Sequence, residues 1–211
     1  ALDGTPAQAP LRAAGKTLFG PELERLGWQV APGEDSEAKT LRSDLIYGLA
    51  RFGHASTLAK AHELFAPALA AAAGVPPSIR AALLYAAGRD ASAAEFEALL
   101  VALRATDSQE ERWTLLLALA AGTDPVRARR LLDESLTGRL PNDISSNLPG
   151  TVAREPTLAP MAYDFVVAHW AELAALAGDG PFGGRHWLLP NAAASSSDPA
   201  LARALLADQR R

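Results

Sequence analysis

Four histidines, His54, His62, His169 and His186, are the side chains of this chain best suited to bind a metal or move a proton. A helical zinc site takes two histidines at i, i+4, as in H-E-x-x-H, so that both rings meet on one face. No pair has that spacing, and His54 and His62 are eight apart. The chain has no cysteine, which excludes a thiolate nucleophile, a cysteine-ligated zinc and a disulfide framework. Serine catalysis on a G-x-S-x-G turn is absent as well. Ser145-Ser146 and Ser195-Ser196-Ser197 lie in loop-like sequence, where serine serves turns. The glycine-rich stretch 178–184 follows a helical segment and lacks the Lys-Ser/Thr ending of a phosphate cradle. No residue here is expected to be catalytic, and none to ligate a metal.

Arg42 and Arg80 stand apart from the other charges, because each sits within or beside an apolar stripe. A guanidinium in that position holds a carboxylate through two parallel hydrogen bonds, as a peptide-binding surface requires. The same position also suits an ion pair between helices. Both arginines are therefore peptide-binding candidates, with the inter-helix salt bridge as the alternative. Arg127, Arg129 and Arg130 with Asp133 and Glu134 read instead as a solvated helix face.

The elements that carry these residues are helices. Of 211 residues, 46 are Ala and 33 Leu, while Val and Ile total 10. Ala and Leu favour helix, and strands favour β-branched residues. Apolar residues recur at helical spacing: Leu41, Leu45, Leu49 and Phe52; Leu58, Ala61, Phe65 and Leu69; Ile79, Leu83 and Ala86; Phe96, Leu99, Leu100 and Leu103; Trp113, Leu116, Leu117 and Ala120; Leu131, Leu132 and Leu136; Val166, Trp170, Leu173 and Ala177. Ser92 with Glu95 and Ser108 with Glu111 have capping-box spacing, and Asp124-Pro125 and Asp198-Pro199 read as helix starts. The pattern predicts helices over 8–18, 21–27, 36–53, 56–73, 77–88, 92–105, 108–121, 125–137, 158–177 and 199–209, with a short piece near 141–147. Pro67 is expected to kink or divide its helix. Gly53, Gly74, Gly88 and Gly122 sit near expected C-terminal ends, where a left-handed residue is wanted. Short connections make successive helices antiparallel neighbours, and pairs recur at the scale of helical repeats. The expected fold is all-α, a solenoid of antiparallel helical hairpins forming a single domain over 1–211, with one long loop at 178–198 whose aromatic residues pack down.

A net charge of −4 with a pI of about 5.6 argues against a nucleic-acid partner. No apolar run reaches the roughly 20 residues of a membrane span. The opening six residues lack a signal peptide's basic start and apolar core. The first residue is Ala1 and the one methionine is Met161, so the chain is expected to be a processed or excised piece of a longer polypeptide.

A family resemblance gathers these features. Leu26-Gly27-Trp28, an acidic loop and Leu41-Arg42 are followed by Ala61 and Phe65, Val75-Pro76 and Ile79-Arg80. Then come Glu111-Arg112-Trp113, Leu116, Leu119-Ala120, Asp124-Pro125, Leu131-Leu132, and finally Ala168-His169-Trp170 with Leu173. In order and spacing this series resembles the C-terminal, ERAP1-like helical domain of M1-family zinc aminopeptidases. The late helix departs from the family, with Tyr163 where Trp is common and His169 where Asn is common. The resemblance implies a HEAT-like α-solenoid that caps the active-site chamber and contacts the peptide substrate. Its partner is the parent's own catalytic domain. It implies no cofactor in this chain and a zinc in that catalytic domain, held by an H-E-x-x-H motif that these residues do not contain. It also implies that the first helices of the C-terminal domain precede this chain. Two other readings remain: a free-standing helical-repeat module that binds protein or peptide, and a hydrolase built on Ser, His and Asp.

Overall fold

The computed structural model describes residues 5–72, 74–179 and 184–208. Thirteen α-helices and no strand occur among the described residues. In order they are α1 (Gln8–Leu26), α2 (Ser36–Phe52), α3 (Ala55–Glu63), α4 (Phe65–Leu69), α5 (Pro77–Gly88), α6 (Ala93–Ala105) and α7 (Gln109–Leu119). There follow α8 (Pro125–Glu134), α9 (Asn142–Val152), α10 (Ala159–Ala168), α11 (Trp170–Ala177), α12 (Leu188–Ala193) and α13 (Pro199–Asp208), with a 3-10 turn over Arg185–Trp187 before α12.

One row of helices runs through the middle. α2 packs on α5, α5 on α7, α7 on α9 and α9 on α12. α1 flanks α2, α3 and α4 flank α5, α6 flanks α7, and α8 flanks α9. Hairpins thus pile up in chain order, and the stripes read from the sequence face inward. Ile79, Leu83, Leu84, Leu99, Leu100, Leu115, Leu116, Leu131 and Leu132 are all fully buried. Each such side chain contributes roughly 1.5–3 kcal/mol by leaving water. Leu41 and Trp170 are exceptions to their stripes and are exposed.

The helix starts follow their sequence signals. Ser92 and Glu95 form a complete capping box. Asp124 accepts from the Val126 amide and Asp198 from the Ala200 amide. At the other end of α2, Gly53 takes the left-handed conformation that closes the helix, at φ +70°. Gly88 does not share this role. It is helical and buried, and a Cβ built there would lie 1.9 Å from the Ala118 carbonyl oxygen. Its missing side chain lets α5 and α7 come into contact.

Several boundaries move for identifiable reasons. The segments expected at 8–18 and 21–27 are one helix, α1, with Pro21 inside it. Gly20 precedes that proline and has no Cβ to meet the ring. The stretch 56–73 divides at Leu64, so that Pro67 falls in the first turn of α4, where its missing N–H is no loss. The stretch 158–177 divides at His169. The short piece near 141–147 is the three-turn helix α9, despite Pro149 and Gly150 within it. Its Ile144, Leu148 and Val152 reach the core, and that burial outweighs a turn-like composition.

The long loop expected at 178–198 is a correction. Its second half holds the 3-10 turn and α12, with Leu188 and Ala192 buried. The expected aromatic packing is only partly right, since Trp187 stays 53% exposed and Phe182 lies outside the described residues. α12 was hidden because Gly, Ser and Ala surround a single short apolar run.

The Gly88 contact gives a direct test. Gly88→Ala should destabilise the chain by about 1–3 kcal/mol through overpacking. Gly48→Ala, in α2 with open space around its Cβ, should stabilise it by about 0.5–1 kcal/mol. Urea unfolding followed by circular dichroism reads both, and a neutral Gly88→Ala would refute the close approach.

Candidate functional site

Arg42 and Arg80 do the same physical job at two places. Arg42, on α2, is 1% exposed. Its Nε donates to the Gly27 carbonyl at 2.8 Å and its Nη2 to the Leu26 carbonyl at 3.2 Å. The other edge of the guanidinium forks onto the Glu34 carboxylate. Arg80, on α5, donates from Nε to the Ala68 carbonyl at 2.7 Å and from Nη2 to the Leu69 carbonyl at 3.3 Å. It then pairs with both oxygens of Glu111 on α7, at 2.6 and 2.7 Å. Each arginine therefore gathers the carbonyls that end the preceding helix, which have no partner within that helix. For Arg80 this is the inter-helix ion pair, the alternative weighed for these residues, whereas Arg42 ties the loop residue Glu34 to the end of α1. The hydrogen bond from Arg42 holds the Glu34 carboxyl below its ordinary range.

Glu111 shows why one signal was only half right. Ser108 accepts from the Glu111 amide, as a capping box requires, but the Glu111 side chain turns away to Arg80.

Other polar side chains join successive layers. Arg104 on α6 pairs with the buried Glu134 on α8. Arg89, at the end of α5, donates to the Ala121 carbonyl and to the buried Glu155 at 2.8 Å. His62 on α3 bridges two carboxylates, with Nδ1 2.7 Å from Glu95 and Nε2 2.8 Å from Asp90. Partial burial opposes the ring's charge, but the two carboxylates outweigh it and raise the His62 pKa above its ordinary value. Glu95 is opposed by burial in turn, yet the His62 and Ser92 hydrogen bonds lower its pKa.

The other histidines are scattered. His54 Nδ1 lies 2.9 Å from the Thr57 hydroxyl and 3.3 Å from that of Ser56, both at the start of the helix it precedes. That is a local turn contact. The His169 ring lies tilted against Phe165, with centroids 4.6 Å apart, and His186 is exposed. No group of three or more His, Asp or Glu able to hold a metal occurs among the described residues.

The candidate binding feature lies where the row of helices ends. A groove of about 830 Å³ runs past the C-terminal halves of α2, α5 and α7 and the turn after α9, closed by α1 on one side and the end of α12 on the other. That volume is within the range of ligand sites. Tyr47 and Tyr85 stand side by side on its wall, with ring centroids 4.9 Å apart. Arg12, Arg51, Arg89 and Arg154 line it, against the single carboxylate of Glu155. Burial pushes the Tyr47 hydroxyl above its ordinary pKa; the Tyr85 phenol adds to this and the Arg154 charge works against it. The Tyr47 phenol therefore remains an O–H donor at neutral pH. Sequence reasoning missed this groove, because its residues come from six separate segments and none forms a motif. The one local hint is an arginine near the end of α2 and just after α5 and α9.

Comparison with known proteins adds a family. The model of the ERAP1-like C-terminal domain matches residues 1–207. The chain is 32% identical over 123 residues to Aminopeptidase M1 of Arabidopsis thaliana, covering 56% of this chain and 14% of that protein. It is 30% identical over 136 residues to Aminopeptidase M1-A of Oryza sativa subsp. japonica, covering 59% of this chain and 15% of that protein. The matched stretch thus spans about one-seventh of these relatives.

Two outcomes follow from the clamps. Arg42→Ala should lower the melting temperature by several degrees, because two carbonyls and a carboxylate lose their partner. Arg25→Ala, which breaks an exposed pair with Glu22, should leave it almost unchanged. The His62 bridge should be pH-dependent. A raised folded pKa stabilises the fold fully below the unfolded value near 6.5, and this contribution fades as pH rises through the higher folded value. The stability difference between the wild type and His62→Gln should therefore be largest at about pH 6 and shrink in alkaline solution. A difference that grows with pH would contradict the charged bridge.

Proposed function

The chain belongs to the ERAP1-like C-terminal domain family, and from that premise we propose that it is the non-catalytic helical domain of a zinc aminopeptidase. In this reading it folds as a HEAT-like solenoid, rests against the enzyme's catalytic domain and caps the chamber that the peptide enters. The observation that carries the reading is the groove with Tyr47, Tyr85 and the arginines. Stacked hairpins make an extended surface suited to a chain-like ligand. Tyrosine supplies large contact area at a small cost in conformational entropy, and arginine supplies directed donors. Arg42 and Arg80, tied to carbonyls and glutamates, then act by holding in place the helices that line it.

The chemistry is assigned to the rest of the polypeptide. The described residues hold no ligand set for the zinc, and no step is routed through this chain's histidines. Its contribution is to orient and admit the substrate. Interactions with parts of a substrate remote from the scissile bond still lower the barrier when they position it.

The test uses the full-length polypeptide. Tyr47→Ala should raise KM for oligopeptides several-fold while leaving KM for an aminoacyl dipeptide unchanged. Equal effects on both substrates, or a loss of stability with the KM ratio intact, would count against substrate contact. An open reading frame without H-E-x-x-H upstream of this chain would remove the aminopeptidase assignment and leave a binding module.

A further inference from the structure

A second hollow, of about 360 Å³, lies between α9 and α12 and shares no lining residue with the groove. Sequence spacing builds it. Asn147 and Gly150 are three apart on α9, and Trp187 and Asn191 are four apart where the 3-10 turn runs into α12, so each pair shares a helix face. The two faces close on each other at Gly150, where an added Cβ would lie 2.9 Å from the Asn191 Cβ. Leu188 is buried beside the hollow, whereas Trp187 is 53% exposed on its wall.

Polar atoms around this hollow are uncommitted. The Ser146 hydroxyl and the Asn147 amide nitrogen both donate to the Asp143 carbonyl, at 3.3 and 2.8 Å. The Asn147 carbonyl oxygen and the Ser146 oxygen therefore remain acceptors. The Asn191 amide and the Trp187 indole N–H have no partner among the described residues. Among the described residues, no charged side chain lines the hollow. A carboxylate, phosphate or ammonium group would meet no counter-charge here, and a purely apolar molecule would leave the amides unpaired. A matching ligand is uncharged, carries several groups that both donate and accept, and has an apolar face for the indole. A pyranose ring meets all three demands. Its hydroxyls pair with amides, and its C–H groups, which carry partial positive charge, lie on the negative face of an aromatic ring. We propose that Ser146, Asn147, Trp187 and Asn191 form a binding site for a neutral sugar ring. The site is independent of the peptide reading of the groove.

The experiment titrates the full 211-residue chain with maltotriose, cellotriose, mannotriose and chitotriose, followed by saturation-transfer NMR of the sugar protons. Sorbitol, which has the hydroxyls but no ring, is the control. At least one trisaccharide should bind with a Kd of about 1 mM or below, and sorbitol should not. Trp187→Ala should weaken that sugar about tenfold, and Trp187→Phe should keep part of the affinity. Asn191→Ala should weaken it several-fold. Trp170→Phe, at an exposed tryptophan outside the hollow, should leave it unchanged. Trp187 and Asn191 are exposed, so the variants should fold, and circular dichroism checks this. The methyl glycoside of the best sugar separates two sources of the same chemistry. Undiminished binding assigns the site to a sugar linked through its anomeric carbon, and loss of binding assigns it to a free reducing sugar. Absence of binding by every trisaccharide, or binding that survives Trp187→Ala, would overturn the site. A neutral peptide amide that binds as tightly as the best sugar and is weakened by the same variants would overturn the sugar assignment.

Discussion

A stack of short helices has many helix ends, and the last carbonyls of each helix have no partner within it. In a compact stack several of those ends are turned away from water, where an unpaired acceptor costs about 1–3 kcal/mol. Arg42 and Arg80 answer this constraint by one arrangement: a planar donor fork covers the final carbonyls of one helix and locks onto a glutamate. In the second case that glutamate belongs to α7, so satisfying a helix end also ties one hairpin to the next. The order of the layers depends on such joints as much as on the leucines beneath them.

The same constraint shapes the groove. The middle helices α2, α5 and α7 bring their C-terminal halves to it, and a helix C-terminus carries partial negative charge. Arginines in the last turn of α2 and just after α5 offset that charge, and Arg89 does so through the Ala121 carbonyl. Arg154 belongs to the same ring of cations but is not consumed by it. A groove lined by cations thus arises at little extra cost from groups that the fold already gathers at its helix ends.

Charge elsewhere is arranged by layer. The outer helices are joined by Arg104 with Glu134, Arg130 with Glu97, and His62 with Glu95 and Asp90. The Arg104 and His62 contacts are partly screened from solvent, whereas Arg130 and Glu97 are open to it and contribute little. His62, one of the four histidines suited by type to chemistry, instead serves as a bridge between two carboxylates.

Local physics was legible in the sequence. Helical periodicity, the caps at Ser92, Asp124 and Asp198, and the left-handed Gly53 act over four residues or fewer, so adjacent residues report them. They gave the all-helical class and most helix positions, and the ordered motifs led to the family. Tertiary structure alone decided the rest. Burial made a helix of Asn142–Val152 and of Leu188–Ala193 against their turn-like composition. Close packing, not a turn, set Gly88. Arg42 and Arg80 could be singled out by their apolar surroundings, but only the fold chose their partners. Arg80 meets a glutamate 31 residues away and Arg89 one 66 residues away. A charge on a helix carries no record of which distant chain segment will pack against it, so the clamps and the groove became visible only once the hairpins were stacked.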